Sequence, residues 1–191
     1  MTIEPLFKYI SDFINVSDKD VRLLRQSFKY ANFSKGSILE KENTVAQKLY
    51  FIKSGFLRTF YIEEGTEITT QIVRGNSFIT GFNSFVTGEF SNVTVQCISD
   101  CEVLYIIKAD YDRLTTDIAA WSTFCKHVYE DTLRFSLQRT TDLLSLSAEK
   151  RYLKLLEEQP EVIKNVPIQY IASYIGIKPE SLSRIRRKII S

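Results

Sequence analysis

The spacing of apolar positions in this chain changes character three times, and each change predicts a different kind of element. In "SDKDVRLLRQSF", Ser17 is placed to cap a helix with Asp20 three positions later. Val21, Leu24 and Phe28 follow at three- and four-residue spacing, so the first 30 or so residues read as helical. From Asn32 to about Ile107 the helical period disappears. Short β-rich runs take its place ("KLYFIKSG", "FLRTFYIEEG", "EITTQIVRG", "NVTVQCISD", "EVLYII"), punctuated by glycines at 36, 55, 65, 75, 81 and 88. Regular turn signals between short strands predict an all-β barrel or sandwich. "YIEEGTEI" reads as a hairpin, with Gly65 supplying a positive φ.

Past "IIKADYDRLTTD" the helical period returns. Asp117 is placed to cap a helix running to about Ser145 with no Gly or Pro inside it. One apolar stripe holds Trp121, Phe124/Cys125, Val128 and Phe135; a second holds Tyr129, Leu133, Leu137 and Leu144. Two apolar faces exceed what one small barrel covers. One face is therefore assigned to the chain's own strands and the other to a second subunit, with Trp121, Phe124, Val128 and Phe135 taken as the subunit contact. A helix buried on both faces within a monomer is the alternative. "SAEKRYLKLLEEQP" then predicts a short helix capped by Ser147 and stopped before Pro160.

The stretch "VPIQYIASYIGIKPESLSRIRRKI" predicts two short helices around a tight turn. Counting from Ile168, the apolar fourth and eighth positions are Ile171 and Ile175, with the small Ala172 between them to admit a crossing helix. Gly176 suits a left-handed turn position, Ile177 plugs the turn, and Pro179 suits the first position of the second helix. Leu182 and Ile185 point back into the small core. Lys178 is a weak N-cap where Ser or Thr caps better. The face opposite Leu182, Ile185 and Ile189 carries Glu180, Ser181, Arg184, Arg187 and Lys188, and Lys178 joins them as an expected DNA contact. Arg suits guanine edges, Glu suits cytosine N4, and flanking cations suit phosphates, so this face is fit for a DNA major groove. The plain alternative is a basic, solvated helix on a helical hairpin.

Charge distribution sharpens that picture. The chain has 191 residues and a net charge of +2, but residues 148–191 hold nine Lys/Arg against five Asp/Glu. A near-neutral body with a basic C-terminal part directs a polyanion to that end. The N-terminus "MTIEPLFKYI" lacks the pattern of a signal peptide, and no uncharged run approaches the ~20 apolar residues of a membrane helix, which predicts a cytoplasmic protein without membrane contact. Three cysteines, an odd number, are expected as free thiols. Cys97 and Cys101 at C-x3-C make a weak metal site, so no metal or other cofactor is expected, and Cys125 reads as packing. The single histidine, His127, reads as a surface or interface residue. With neither a nucleophile elbow nor a Gly-rich phosphate loop, no enzyme is predicted.

The order β-barrel, long helix, helix-turn-helix resembles the Crp/Fnr family of transcription factors. The resemblance is strongest in "IASYIGIKPESLSRIRRK" and clear in "LYFIKSGFLRTFYIEEGTEIT" and "CEVLYI". It implies an N-terminal cyclic-nucleotide-binding-type β-roll, a dimerising helix and a C-terminal winged helix-turn-helix. Glu180 and Arg184 match its base-contacting positions, whereas Pro179 stands where many members have a further base-contacting Arg. The wing strands that follow the recognition helix in other members are not expected here. Cyclic-nucleotide binders in the family hold the ribose with a Gly-Glu pair and the phosphate with an Arg-Ser/Thr pair. Aligned back from "CEVLYI", Thr80-Gly81, followed by Phe82, falls at the first pair and Ser91-Asn92 at the second. Both charged clamps are missing, so cyclic AMP binding is expected to be lost, with Arg74 the nearest spare cation.

These readings combine into an α+β chain. Residues 1–115 are expected as a β-roll (double-stranded β-helix or jelly roll), 116–145 as a dimerisation helix and 146–191 as a helix-turn-helix domain. The expected function is a homodimeric regulator binding an inverted repeat in double-stranded DNA, with RNA polymerase a further partner implied by the resemblance. Two alternatives stay open: a sensor of a cyclic nucleotide or another anion, whose effector is unknown, and a protein-interaction module with a vestigial helix-turn-helix.

Overall fold

The computed structural model describes residues 3–190, with only the backbone of Ile190. Helices α1 (Glu4–Ser11) and α2 (Asp18–Ser27) precede strands β1 (Lys29–Phe33), β2 (Ile38–Glu40), β3 (Lys48–Ser54), β4 (Phe56–Glu63), β5 (Thr66–Arg74) and β6 (Ser77–Ile79). A short helix α3 (Phe82–Thr87) interrupts the strands before β7 (Thr94–Cys97) and β8 (Cys101–Ile107). Helices α4 (Lys108–Asp117), α5 (Trp121–Ser145), α6 (Ala148–Glu158), α7 (Pro160–Asn165), α8 (Ile168–Tyr174) and α9 (Pro179–Ile190) complete the chain. The strands form two antiparallel four-stranded sheets in the orders β1-β8-β3-β6 and β2-β7-β4-β5, a jelly-roll-like arrangement in an α+β chain.

Local sequence signals account for the element ends. Ser17 and Asp20 form a reciprocal capping box on α2, with Asp20 N–H donating to Ser17 Oγ at 3.2 Å and Ser17 N–H to Asp20 Oδ2 at 3.0 Å. The β4–β5 hairpin turns on Glu64 and Gly65, both at positive φ (47° and 76°), as a two-residue turn between right-twisted strands requires. Ser147 caps α6 by accepting from Lys150 N–H at 3.3 Å, and Pro160 opens α7 as its first residue.

The long helix departs from expectation at its start. Asp117 ends α4 instead of capping α5, which begins at Trp121 behind an Ala120 that makes no side-chain cap. Its subunit contact is also corrected. Trp121, Phe124 and Val128 are buried within their own chain, where they pack with Phe28, Tyr111 and Phe78. An indole at 0% exposure in a single chain has no surface to offer a partner. Phe135 is half-buried and borders cavities beside β5 and α6. Further along α5 the apolar side chains in water are Leu133 (59% exposed), Leu137 (60%) and Leu144 (84%), the second of the two stripes.

Three apolar clusters organise the interior. One joins α1, α2, the first sheet, α4 and the start of α5; one fills the space between the sheets around Tyr50, Leu57 and Val103; the third lies among α6–α9 and reaches Ile72 and Ile98 of the second sheet's side. That last contact is reinforced by polar bonds at β5, an edge strand with unpaired backbone groups. Ser173 Oγ on α8 accepts from Thr69 N–H at 2.8 Å and donates to Glu67 C=O at 3.0 Å, standing in for a missing neighbouring strand. Arg139 of α5 bridges the carbonyls of Thr69 (3.2 Å) and Tyr174 (3.1 Å). Arg58 of β4 is 1% exposed, with its guanidinium between the Phe60 ring (4.0 Å) and the Tyr170 ring (3.7 Å). It bonds Gln96, Thr69 and Glu67, so the buried charge is fully engaged. The α8–α9 pair is thereby fixed to the β-roll through α8, and α9 is left facing outward.

Candidate nucleic-acid interface and β-roll pocket

The helix pair is built from the residues its spacing singles out. Ile171, Ala172, Ile175 and Leu182 are buried together with Tyr152, Leu155, Val162 and Val166. Gly176, at φ 73°, makes the turn, and the Ile177 N–H returns to Ala172 C=O at 2.9 Å. Pro179 is the first residue of α9, where its missing N–H leaves no bond unmade. Ile177, Ile185 and Ile189 pack partly into the same core.

With that face committed, α9 presents Glu180, Arg184, Arg187 and Lys188 to solvent, with Ser181 half-buried among them and Lys178 exposed just ahead of the helix. Arg184 Nη2 donates to Ser181 Oγ at 3.3 Å, which draws the guanidinium back along the helix. Lys188 pairs with Glu149 of α6 at 3.0 Å. Glu180 lies in the first turn of α9, and Arg187 and Lys188 in its last, both favourable placements for the helix dipole.

In the β-roll, Thr80, Gly81 and Ser91 come together and are buried, Phe82 is half-buried against the Tyr129 ring (6.2 Å), and Asn92 is exposed. Ser91 Oγ stands 2.6 Å from where a Gly81 Cβ would be, so glycine is required there by close approach. The loop carrying Ser91 is tied to residues 43 and 44 by backbone bonds, Asn43 N–H to Ser91 C=O at 2.7 Å and Ser91 N–H to Thr44 C=O at 2.8 Å.

Sequence reasoning missed the group that defines this pocket. Glu40, at the end of β2, is 9% exposed and turns its carboxylate inward. It accepts from Gly81 N–H at 2.9 Å and from Thr80 Oγ1 at 3.2 Å. Burial raises its pKa above the ordinary carboxylate value, with the Gly81 and Thr80 hydrogen bonds opposing that shift. A cavity of about 330 Å³ beside it is bordered by Lys41, Gln47, Lys48 and Tyr50. The Thr80–Gly81 corner therefore surrounds a carboxylate, and the cavity beyond it carries Lys41 and Lys48 as well as Glu40. Arg74 does not join them, being exposed at the edge of a different cavity with Tyr9, Ser77 and Asp131. A three-residue strand gives too short an alternation to reveal that Glu40 points inward; only its pairing with β7 does so.

The remaining candidates fall into place. Cys97, Cys101 and Cys125 are free and buried. His127 is partly exposed, close to Phe13 (ring centroids 5.2 Å) and Glu130 (4.0 Å). Among the described residues no helix is long and apolar enough to cross a membrane.

Residues 30–117 match the cyclic nucleotide-binding domain family. No curated protein sequence matches the chain. Solved structures share its fold at low identity. The c-di-GMP-responsive global regulator CLP of Xanthomonas campestris is 16% identical, with 91% of each chain covered and a TM-score of 0.71. FixK2 of Bradyrhizobium japonicum is 14% identical, covering 85% of this chain and 84% of that one, at 0.75. A protein from Eubacterium rectale described as a Crp/Fnr-family transcriptional regulator is 20% identical, covering 95% and 87%, at 0.73. The resemblance to the Crp/Fnr family holds along the chain as a resemblance of fold, and the match to the cyclic nucleotide-binding domain family falls on residues 30–117.

Proposed function

We propose that this chain, a cyclic nucleotide-binding domain set within the Crp/Fnr fold, is a homodimeric, sequence-specific DNA-binding transcriptional regulator of the cytoplasm. The observation that carries the reading is α9. One face is locked into a core with α6–α8, and the other offers Glu180, Arg184, Arg187 and Lys188 to solvent in an order suited to a major groove. Residues 1–115 serve as the β-roll, 116–145 as the dimerisation segment and 146–191 as the DNA-binding part, with RNA polymerase a further partner of the bound dimer.

Dimerisation runs through Leu133, Leu137 and Leu144 of α5. With Thr140 they follow four-, three- and four-residue steps, the seam of a two-stranded coiled coil. The exposed leucines supply the drive, at ~25 cal/mol per Å² of apolar surface removed from water.

The β-roll pocket does not take cyclic AMP in this reading. Its charged clamps are replaced by Thr80-Gly81 and Ser91-Asn92, and Glu40 adds a buried acid. Whenever Glu40 is ionised, a phosphate held about 4 Å from it is opposed by roughly 4 kcal/mol at an effective dielectric of ~20. Selection of bound sequences from random duplex DNA, with and without a metabolite extract, tests the function. Enrichment of one inverted repeat is expected, and the absence of any enriched sequence in both arms would overturn it.

A further inference from the structure

Among the described residues, two buried side-chain polar atoms meet no hydrogen-bond partner, Trp121 Nε1 and Arg139 Nε. The indole sits in an aromatic core, where the cost is one unmet N–H. Arg139 of α5 carries a charge as well. Its Nη2 donates to the carbonyls of Thr69 and Tyr174, and among the described residues no carboxylate pairs with the guanidinium. Burial holds its pKa below the ordinary arginine value, yet the group stays cationic at neutral pH. Arg58, also buried at this junction, is by contrast paired with Glu67. A half-buried cation met only by carbonyls is costly, and an anion beside it removes much of that cost.

Arg139 lines a cavity of about 120 Å³ between α5, α6 and the end of α8. At about 10–15 Å³ for each water-sized group, that space holds a molecule of on the order of ten heavy atoms. Its rim carries the exposed Gln138 and Glu158, which leaves a way in. The charges around it do not cancel. Lys154 lies 2.6 Å from Asp142 and 3.9 Å from Glu158, so one lysine serves both acids. Arg151 spends its Nε on Ile175 C=O at 2.8 Å and its Nη1 on carbonyls at the end of α5. Among the lining residues three cations thus face two carboxylates, and both arginines meet carbonyls alone. Of the two, Arg139 is the one with a buried donor unmet. The rest of the wall is largely apolar, from Phe135, Leu155 and the Tyr174 ring, whose centroid is 5.2 Å from the Arg139 guanidinium.

We propose that this cavity binds a small organic acid, its carboxylate on Arg139 and its apolar body against Phe135, Leu155 and Tyr174. One or two polar anchors in a mostly apolar wall suit such a ligand, and a guanidinium–carboxylate hydrogen bond is among the stronger single contacts. An occupied cavity ties α6 and α8 to α5, and through α8 it reaches the Ser173 bridge to β5. In the proposed regulator it is the place for an effector, apart from the Thr80-Gly81 corner of the β-roll. Binding itself does not depend on α9 reading DNA.

The test titrates the full-length protein with benzoate and with hexanoate by calorimetry at fixed ionic strength, and follows amide exchange with and without each acid. Benzamide supplies an apolar body without the charge, and inorganic phosphate an anion without the body. At least one acid should bind at one site per chain. Benzamide and phosphate should each be weaker by about tenfold or more, the first lacking a charge-assisted hydrogen bond and the second a buried apolar body. Exchange should slow in α6 and α8. Arg139→Gln keeps an amide donor for the Tyr174 carbonyl and should weaken the acid by a similar factor, with its circular dichroism unchanged. Arg134→Gln, which alters an exposed arginine of the same helix, should bind as the wild type does. The site would be overturned by no saturable binding of either acid in the millimolar range, by benzamide or phosphate binding equally well, or by protection at residues 80–92 instead. Full affinity in Arg139→Gln would overturn the role of Arg139. The protection map is read on the wild type, so it decides the site even where a variant does not fold. None of these readouts needs DNA, so failure here is separable from failure of the regulatory reading.

Discussion

At the scale of single residues, Glu40 and the basic positions of α9 make distinct demands. The Glu40 pKa is raised in the folded state, so the folded chain holds its proton to higher pH than the unfolded chain does. Between the unfolded and folded pKa values the native state binds more protons, and stability falls as pH rises. The contribution is fully present below the unfolded value and lost through the folded one. Glu40→Gln, which keeps an acceptor for Gly81 N–H, should remove this slope; denaturant melts from pH 4 to 8 should show the wild type losing stability relative to the variant as pH rises. Parallel curves would contradict the placement of Glu40. On α9, Arg187→Ala should weaken all DNA sequences alike and lower the salt slope by roughly one for each phosphate no longer neutralised in each subunit. Lys188→Ala should cost less, because Lys188 leaves its partner Glu149 to meet a phosphate, an exchange of one exposed ion pair for another. The positions on α9 were legible because helical spacing fixes which side chains share a face. Glu40 was not, since nothing in "SILEKEN" distinguishes an inward acid from a solvated one.

At the scale of elements, the hairpin at Glu64-Gly65, the Ser17 and Ser147 caps and the α8–α9 turn were legible, because each depends on residues within a few positions of one another. The faces of α5 were legible as two stripes but not as to which was covered. That assignment depends on α1, α2 and α4, which reach Trp121, Phe124 and Val128 from elsewhere in the chain. In the proposed dimer, the substitutions that separate dimerisation from folding therefore lie on the second stripe. Leu133→Glu with Leu137→Glu should give a folded monomer by sedimentation at micromolar concentration, while Val128→Glu should cost stability in either state, by several kcal/mol for a charge forced into a packed core. A double Leu variant that stays dimeric would show that α5 is not the seam. From the β5 side, Ser173→Ala leaves the Thr69 N–H without its partner, and a loss of about 1–3 kcal/mol is expected in thermal or denaturant unfolding. The Ser173 bridge itself spans more than a hundred residues of sequence, which is why spacing alone gave no sign of it.

For the molecule as a whole, the β-roll is fixed to the helix pair through α8, and α9 is left facing outward, as the proposed DNA contact requires. Calorimetry with cyclic AMP should show no binding in the micromolar range; a low-micromolar dissociation constant would contradict the account of Thr80-Gly81, Ser91-Asn92 and Glu40. A two-fold dimer placing one α9 in each of two successive major grooves should prefer half-site centres about 10 base pairs apart. The most direct measurement is a mobility-shift titration of wild type and Arg184→Ala on the selected inverted repeat and on single-base variants of it. The account predicts that Arg184→Ala costs about 1–3 kcal/mol in each half-site and relaxes preference at one base pair there. Unchanged affinity together with unchanged sequence preference would contradict it, and α9 would then be a solvated basic helix.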